Sequence, residues 1–231
     1  MSLDFPATGQ ALWAMADASG IRPEWVLPVL YSESSFNPAV VNSIGCTGVN
    51  QLCQNIPSGY ASWTASQQIA GSVSPMMQSI EKQYGPLRSG ARVYQANFLP
   101  GTLPYAKALS SVIAVRGSSA VIRGGGGLTN AAVYSANPGL DVNGDGQITL
   151  QDLATQVQRM ASRSAVQQAI AQTYALRPGE SSTNPAYGTD FPIGAGLSVG
   201  VAFAIGSTVL AAGAAAAYYV TYGRLPIGRF G

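Results

Sequence analysis

Glu33 is the only charged residue in the segment YSESSFNPAV, residues 31–40. Leu30, Tyr31 and Phe36 place apolar side chains beside it in the sequence. Apolar surroundings raise the pKa of a carboxyl group, and an acid that stays protonated near neutral pH can protonate a leaving oxygen. Glu33 is therefore a candidate general acid for breaking a glycosidic bond. The alternative is a solvated glutamate at the end of a helix.

The residues available for catalysis narrow this chemistry further. The sequence contains no histidine, so Ser-His and Cys-His nucleophile systems are excluded, as are metals bound by imidazole. Glycosidases of the usual kind place a second carboxylate at a defined distance from the acid. No acidic residue lies between Glu33 and Glu81, so no partner follows Glu33 nearby in the chain.

A second group of acidic residues lies in the segment DVNGDGQITLQD, residues 141–152. Its spacing matches an EF-hand calcium loop, with Gly146 at the sharp turn and Asp in place of Glu at the last position. The expected ligands are Asp141, Asn143, Asp145, Gln147 through its backbone carbonyl, and Asp152. We predict a structural calcium ion here, with a lower coordination number or weaker binding because the last side chain is short. A plain Asn/Asp/Gly turn is the alternative.

Two motifs occur together from Glu33 onward. Residues 33–38, ESSFNP, match Glu-Ser-x-Phe-[Asn/Asp]-Pro, and residues 45–51, GCTGVNQ, match Gly-x-x-Gly-apolar-x-Gln. Ser43 supplies the serine that precedes the second motif, and Pro57 supplies the proline that follows it. This combination resembles the signature of the soluble lytic transglycosylase family, which is related to goose-type lysozymes. The resemblance implies a lysozyme-like α-helical domain.

The resemblance also implies a mechanism in which one glutamate acts twice. Glu33 would protonate the oxygen between N-acetylmuramic acid (MurNAc) and N-acetylglucosamine (GlcNAc), and would then remove the proton of the C6 hydroxyl of MurNAc. That hydroxyl closes on C1 and gives a 1,6-anhydro sugar. The residues expected to support Glu33 or bind the sugar are Ser34, Ser43, Gly48, Gln51, Tyr94 and Asn97.

Tyr94 and Asn97 come from a weaker match. The family's third element is usually an AYNAG run with a tyrosine near the catalytic acid, and this chain offers RVYQANFLPG, residues 92–101. The resemblance assigns Tyr94 to that tyrosine. A packed aromatic side chain is the alternative.

The elements that must position these residues are predicted to be helical. Apolar spacing and end signals predict helices that end at Gly20 and begin at Pro23. Further helices are expected at 74–84, 89–97 and 150–175, and no long series of strand patterns occurs. We therefore predict a mainly α protein, with a lysozyme-like domain at 1–176 that includes the calcium loop, and a Pro/Gly/Ser-rich linker at 177–192.

A C-terminal hydrophobic segment follows the predicted linker. Residues 193–222 hold no charged residue and are long enough to cross a bilayer, and a short tail occupies 223–231. Three tyrosines near the end of the segment match an interfacial belt. We predict a transmembrane helix at 193–222. The alternative is an Ala/Gly-rich helix packed inside a large assembly.

Composition limits what the protein can bind and the environment in which it can work. Charged residues make up 10% of the chain, against roughly 25% in ordinary soluble domains. The net charge of +2 without a basic run predicts no nucleic-acid binding. Cys46 and Cys53 are the only cysteines, and they could form a small-loop disulfide or remain two buried thiols.

The expected substrate lies outside the cytoplasmic membrane, although the N-terminal sequence lacks the pattern of a signal peptide. We therefore expect a bacteriophage virion protein that opens peptidoglycan during genome entry, acts in the periplasm and inserts residues 193–222 into the inner membrane. Its expected partners are peptidoglycan glycan strands, the lipid bilayer, and other virion proteins or further copies of itself. One alternative is a wall-remodelling enzyme of a bacterial secretion or conjugation apparatus, held in the inner membrane. Another is a non-catalytic, membrane-penetrating structural virion protein.

Overall fold

A computed structural model describes residues 3–191, and this part of the chain is mainly α-helical, as predicted. None of the helices within 3–191 is long and apolar enough to cross a bilayer. The predicted transmembrane helix at 193–222 and the tail at 223–231 lie outside the described residues.

The first two helices follow their predicted end signals. Helix α1 (Ala7–Ser19) ends at Gly20, whose φ of 74° is in the left-handed region that favours glycine at this position. Helix α2 (Pro23–Ser34) begins with Pro23 in its first turn, where a missing N–H costs nothing. Both boundaries confirm the sequence prediction.

The helix predicted at 74–84 begins earlier than expected. Helix α3 (Ala65–Gln68) starts at a capping box between Thr64 and Gln67, runs through a π-helical turn (Ile69–Val73) and continues as α4 (Ser74–Tyr84). Pro75 is the second residue after the π-helical turn. Proline removes a helical N–H donor and crowds the preceding turn, and a π-bulge is one way to absorb this without ending the helix.

The second half of the described chain adds four helices and one small sheet. Helix α5 (Gly90–Phe98) is capped by the side chain of Ser89, and α6 (Asn130–Ala136) follows later. Strand β1 (Val112–Val115) pairs antiparallel with β2 (Gln147–Thr149). The last two helices are α7 (Leu150–Ala161) and α8 (Ser164–Ala175).

The prediction of a single helix at 150–175 is therefore wrong. The chain breaks at Ser162 and Arg163, where Arg163 has extended backbone (φ −70°, ψ 135°). Both helices contact α2, but α7 also packs on α5 whereas α8 packs on α1. The indole N–H of Trp13 on α1 donates to the Thr173 carbonyl on α8 over 2.9 Å.

Helix α2 lies at the centre of the fold. It packs against α1, α5, α7 and α8, and ten of its 12 residues are buried. A helix that is apolar on nearly all sides belongs in a core rather than on a surface. Glu33 is carried on the last turn of this central helix.

The segment predicted as a linker is part of the fold as far as residue 191. Residues 177–191, called here the return segment, run back over α2 and α5. The Pro185 carbonyl accepts from the Gly90 N–H at 3.0 Å, and a Cβ on Gly90 would lie 2.2 Å from that oxygen. Asp190 accepts from the Ser89 hydroxyl at 3.0 Å. Composition misled the prediction because it reveals neither these hydrogen bonds nor the burial of Ala186 in the core.

Candidate active site

Glu33 is a buried carboxyl group with an unused oxygen. Its side chain lies in the last turn of α2, the residue is 3% exposed, and within residues 3–191 its Oε1 atom has no hydrogen-bond partner. Loss of contact with water raises the pKa of Glu33 to about 8, and the side-chain amide of Asn97 partly opposes this rise. The carboxyl group is therefore mostly protonated at neutral pH.

Glu24 on the same helix shows what a structural buried carboxylate looks like. It is 0% exposed, and it accepts from the Arg22 Nε atom and from the backbone N–H and hydroxyl of Thr183, all at 2.9 Å. The hydroxyl of Tyr174 is a further donor. Buried polar groups are normally satisfied in this way, so an unsatisfied one marks a candidate functional site.

The chain turns sharply just after Glu33. Ser35 and Phe36 have φ values of 52° and 64°, a left-handed conformation that is uncommon for residues other than glycine. The turn places the Phe36 ring edge-on to the ring of Tyr31, with their centroids 5.1 Å apart, and buries Phe36. Both rings pack in or against the hydrophobic core, close to Glu33 in the sequence.

Helix α5 brings Tyr94 and Asn97 to Glu33. The two residues are three apart, so they share one face of the helix, and both are buried. The Tyr94 hydroxyl lies 3.2 Å from the hydroxyl of Ser32. Burial raises the pKa of Tyr94, and the nearby charge of Glu33 raises it further. The structure thus places Glu33, Tyr94 and Asn97 at one site, where Tyr94 remains a neutral hydrogen-bonding group.

Gln156 is a residue of this site that sequence reasoning missed. It lies on α7, and its side-chain amide donates to the Ser32 hydroxyl over 3.3 Å. The hydroxyl of Ser32 in turn contacts Tyr94. No motif in the sequence marks Gln156, because its partner is 124 residues away in the chain.

The remaining predicted sugar-site residues have contacts within the protein. Ser34 donates to the Leu30 carbonyl of its own helix at 3.0 Å. Gln51 donates to the Gly48 carbonyl at 3.1 Å, and a Cβ on Gly48 would lie 2.6 Å from the Gln68 side chain. Ser43 lies exposed in a turn.

The loop that carries the second motif, residues 37–63, is held by Gln68. This side chain is 0% exposed, accepts from the Val49 N–H at 2.8 Å, and donates to the carbonyls of Pro38 and Tyr60 at 2.8 and 2.9 Å. Sequence reasoning missed Gln68 as well, because glutamine at a helix start carries no signal of burial. One amide therefore ties three points of this motif loop to α3.

Cys46 and Cys53 form a disulfide bond. The sequence left a disulfide and two buried thiols as alternatives, and the structure resolves them in favour of the disulfide. The bond closes the part of the motif loop that carries Gly48 and Gln51.

The acidic loop at 141–152 is organised around Asp141, whose side chain is 1% exposed. Its carboxylate accepts from the N–H groups of Gly144 and Gly146 at 2.8 and 2.9 Å and from the Tyr134 hydroxyl at 2.6 Å. Burial alone would raise the pKa of Asp141, but these hydrogen bonds outweigh it and lower the pKa. The Arg116 guanidinium also lies beside it, at 3.4 Å.

The predicted calcium ligands fit this ion by donor type. All of them offer oxygen atoms, which calcium prefers. Asp152 accepts from the N–H groups of Val142 and Thr149 and so joins the two ends of the loop. In the part of the chain that the structure describes, however, no three acidic, histidine or cysteine side chains converge closely enough to hold a metal ion. In this conformation the loop carboxylates bind the protein's own N–H and O–H groups.

No family model, curated protein or solved structure matches this chain. The resemblance to lytic transglycosylases therefore stays a prediction from the motif residues.

Proposed function

We propose that this protein is a peptidoglycan lytic transglycosylase that cleaves the β-1,4 bond between MurNAc and GlcNAc. The observation that carries the proposal is Glu33, a buried carboxyl with an unpartnered oxygen and a pKa raised to about 8. Such a group holds a proton at neutral pH and has an oxygen available to deliver it.

The proposed reaction uses Glu33 twice. Its proton goes to the oxygen that bridges the two sugars, and the bond from that oxygen to C1 of MurNAc breaks. The Glu33 carboxylate then takes the proton from the C6 hydroxyl of MurNAc while the C6 oxygen bonds to C1. The products are a 1,6-anhydro-MurNAc end and a free GlcNAc hydroxyl, Glu33 is protonated again, and no water is consumed.

The surroundings of Glu33 support this single-carboxylate mechanism. Three other carboxylates with buried side chains in residues 3–191, Glu24, Asp141 and Asp152, are engaged by hydrogen bonds. The amide of Asn97 favours the charged form of Glu33, which is the form needed after proton donation. Tyr94 stays neutral and offers its hydroxyl to the same site.

The acidic loop is proposed to bind calcium through Asp141, Asn143, Asp145, Asp152 and the Gln147 carbonyl. The ion would have a structural role, since the loop leads directly into α7, which carries Gln156. Calcium should raise the melting temperature of the full chain relative to a chelator. At 100 times its Kd, the ion should add up to about 3 kcal/mol to the free energy of unfolding. Asp145→Ala, which removes a ligand oxygen at an exposed position, should abolish the increase. An identical melting temperature with calcium and with chelator would contradict this part of the proposal.

The protein is further proposed to act on the wall side of a membrane, delivered there in a phage virion and anchored through residues 193–222. A disulfide between Cys46 and Cys53 suits an oxidising compartment. A specialised export route in a bacterium would bring the enzyme to the same place.

Digestion of purified peptidoglycan by the full chain tests the activity. Release of soluble fragments should fall by about 10²- to 10⁴-fold in Glu33→Gln, because that variant lacks the acid–base group. Asp4→Asn, which removes a carboxylate from an exposed position, is the matched control and should retain native activity. Native-like release by Glu33→Gln would overturn the proposal.

A further inference from the structure

A concave site lies between α7, α8 and the return segment. It has a volume of about 600 Å³, and its walls come from the end of α7, the outer face of α8 and residues 180–185. Neither Glu33 nor any predicted sugar-site residue lines it. This groove is therefore separate from the candidate active site.

Uncharged hydrogen-bonding groups line the groove. Two amides and three hydroxyls contribute, from Gln158, Gln167, Ser162, Ser181 and Ser182. The Oε1 atom of Gln158 is buried and has no hydrogen-bond partner among the described residues. A buried acceptor without a partner calls for a ligand or water that donates an N–H or O–H.

The remaining lining residues define the class of ligand. Ile170, Ala171 and Pro185 provide apolar surface, and Tyr174 adds an aromatic ring. No lysine or arginine is among the described residues that line the groove, so an anion would find no partner there. Apolar surface edged by amides and hydroxyls complements a pyranose ring, which has apolar faces and a polar rim.

The one charged lining residue does not change this conclusion. Glu180 faces the Arg22 guanidinium at 3.6 Å, so its charge is partly balanced within the protein. Arg22 also holds the wall in place, since it donates to the Ser181 carbonyl and to the Tyr174 hydroxyl. These contacts of Arg22 fix one wall of the groove.

We propose that this groove is a second carbohydrate-binding site, which takes an uncharged, N-acetylated stretch of a glycan strand. The acetamido N–H of such a sugar is a suitable donor to Gln158. The inference rests on the proposed function, in which Glu33 cleaves the bound glycan. A strand held at a second site raises the local concentration of glycosidic bonds at Glu33.

Binding experiments on the full chain separate the groove from catalysis. In a Glu33→Gln background, which prevents turnover, Ala171→Trp fills the groove from an exposed position on α8. Ala165→Trp is the matched control, because Ala165 is exposed on the same helix and does not line the groove. The readouts are sedimentation with insoluble peptidoglycan and titration with a β-1,4-linked GlcNAc tetramer.

Ala171→Trp should weaken binding to insoluble peptidoglycan by about 10-fold or more and remove one tetramer site, whereas Ala165→Trp should bind like its parent. Equal binding by the two tryptophan variants would overturn the inference. The inference would also be overturned if residues 192–231 already filled the groove. In that case Glu33→Gln alone would lack the tetramer site assigned to the groove. Because these readouts need no cleavage, they test the groove independently of the activity of Glu33.

Discussion

Two glutamates on helix α2 show how partners decide what a buried carboxyl group does. Glu24 and Glu33 are both almost fully buried on the same helix. Glu24 has an arginine, a tyrosine and Thr183 as donors, whereas Glu33 keeps an oxygen without a partner. Glu24 is thereby suited to hold the fold together, and Glu33 is suited to exchange a proton.

The activity should depend on the proton of Glu33. We predict that kcat/KM for glycan cleavage falls as the pH rises through about 8, because the acid is lost above its pKa. A pH–rate profile from pH 3 to 10 on solubilised glycan measures this. A falling limb near the ordinary glutamate value of 4.5 would show instead that Glu33 is not desolvated in the working enzyme.

The same proton affects stability. The pKa of Glu33 is raised on folding, so the folded state binds the proton more tightly than the unfolded chain does. The contribution of Glu33 to the free energy of unfolding is therefore full below pH 4.5. It is lost as the pH rises towards 8, by up to roughly 1 kcal/mol per pH unit.

Glu33→Gln should remove this pH dependence and be more stable than the native protein at pH 8. Urea denaturation at pH 5 and pH 8 measures the difference, with Asp4→Asn as the control that keeps the native dependence. Parallel stability curves for the native protein and Glu33→Gln would refute the assignment.

Three helices meet at the candidate site through side chains that are distant in sequence. Ser32 on α2, Tyr94 on α5 and Gln156 on α7 form a hydrogen-bonded series beside Glu33. Since α7 begins at the acidic loop, this series also links the proposed calcium site to the proposed catalytic site.

Gln156 should act as a positioning residue. Gln156→Met keeps a similar volume but removes the donor to Ser32. We predict a fall in kcat of roughly tenfold with little change in KM. This loss is smaller than the roughly 10²-fold cost of misplacing a reacting group by about 1 Å. Steady-state kinetics on a soluble glycan separate the two constants. Gln172→Met, at an exposed position on α8, is the control. A change in KM alone would assign Gln156 to substrate binding instead.

Local signals predicted some of these elements and not others. Gly20 and Pro23 marked helix ends because capping depends on neighbouring residues. The break at Ser162 and the burial of Gln68 could not be read from the sequence, since both depend on which distant surfaces the chain meets. Tyr94 could be named from a partial motif, but its neighbour Ser32 could not.

The folded unit extends through the return segment. Thr183 donates to Glu24 and accepts from the Trp25 indole at 3.1 Å, which ties this segment to the central helix. A linker predicted from Pro, Gly and Ser content is part of the fold here because polar contacts, which composition does not reveal, hold it.

Thr183→Val should therefore destabilise the full chain by roughly 1 to 3 kcal/mol, because it leaves Glu24 and the Trp25 N–H short of a partner. Thr189→Val is the control, since the contact of Thr189 with the Arg88 carbonyl uses only its backbone N–H. Chemical denaturation gives both values. Equal stability of the two variants would mean that the return segment behaves as the linker that composition predicted.

The central claim is that Glu33 breaks the glycan without water. Its most direct test is digestion of purified peptidoglycan by the full chain in ¹⁸O-enriched water, with the released muropeptides measured by mass spectrometry. The account predicts products one water lighter than hydrolysis products, free of ¹⁸O, and absent with Glu33→Gln. Products that carry ¹⁸O at the new reducing end would contradict it and would identify a hydrolase.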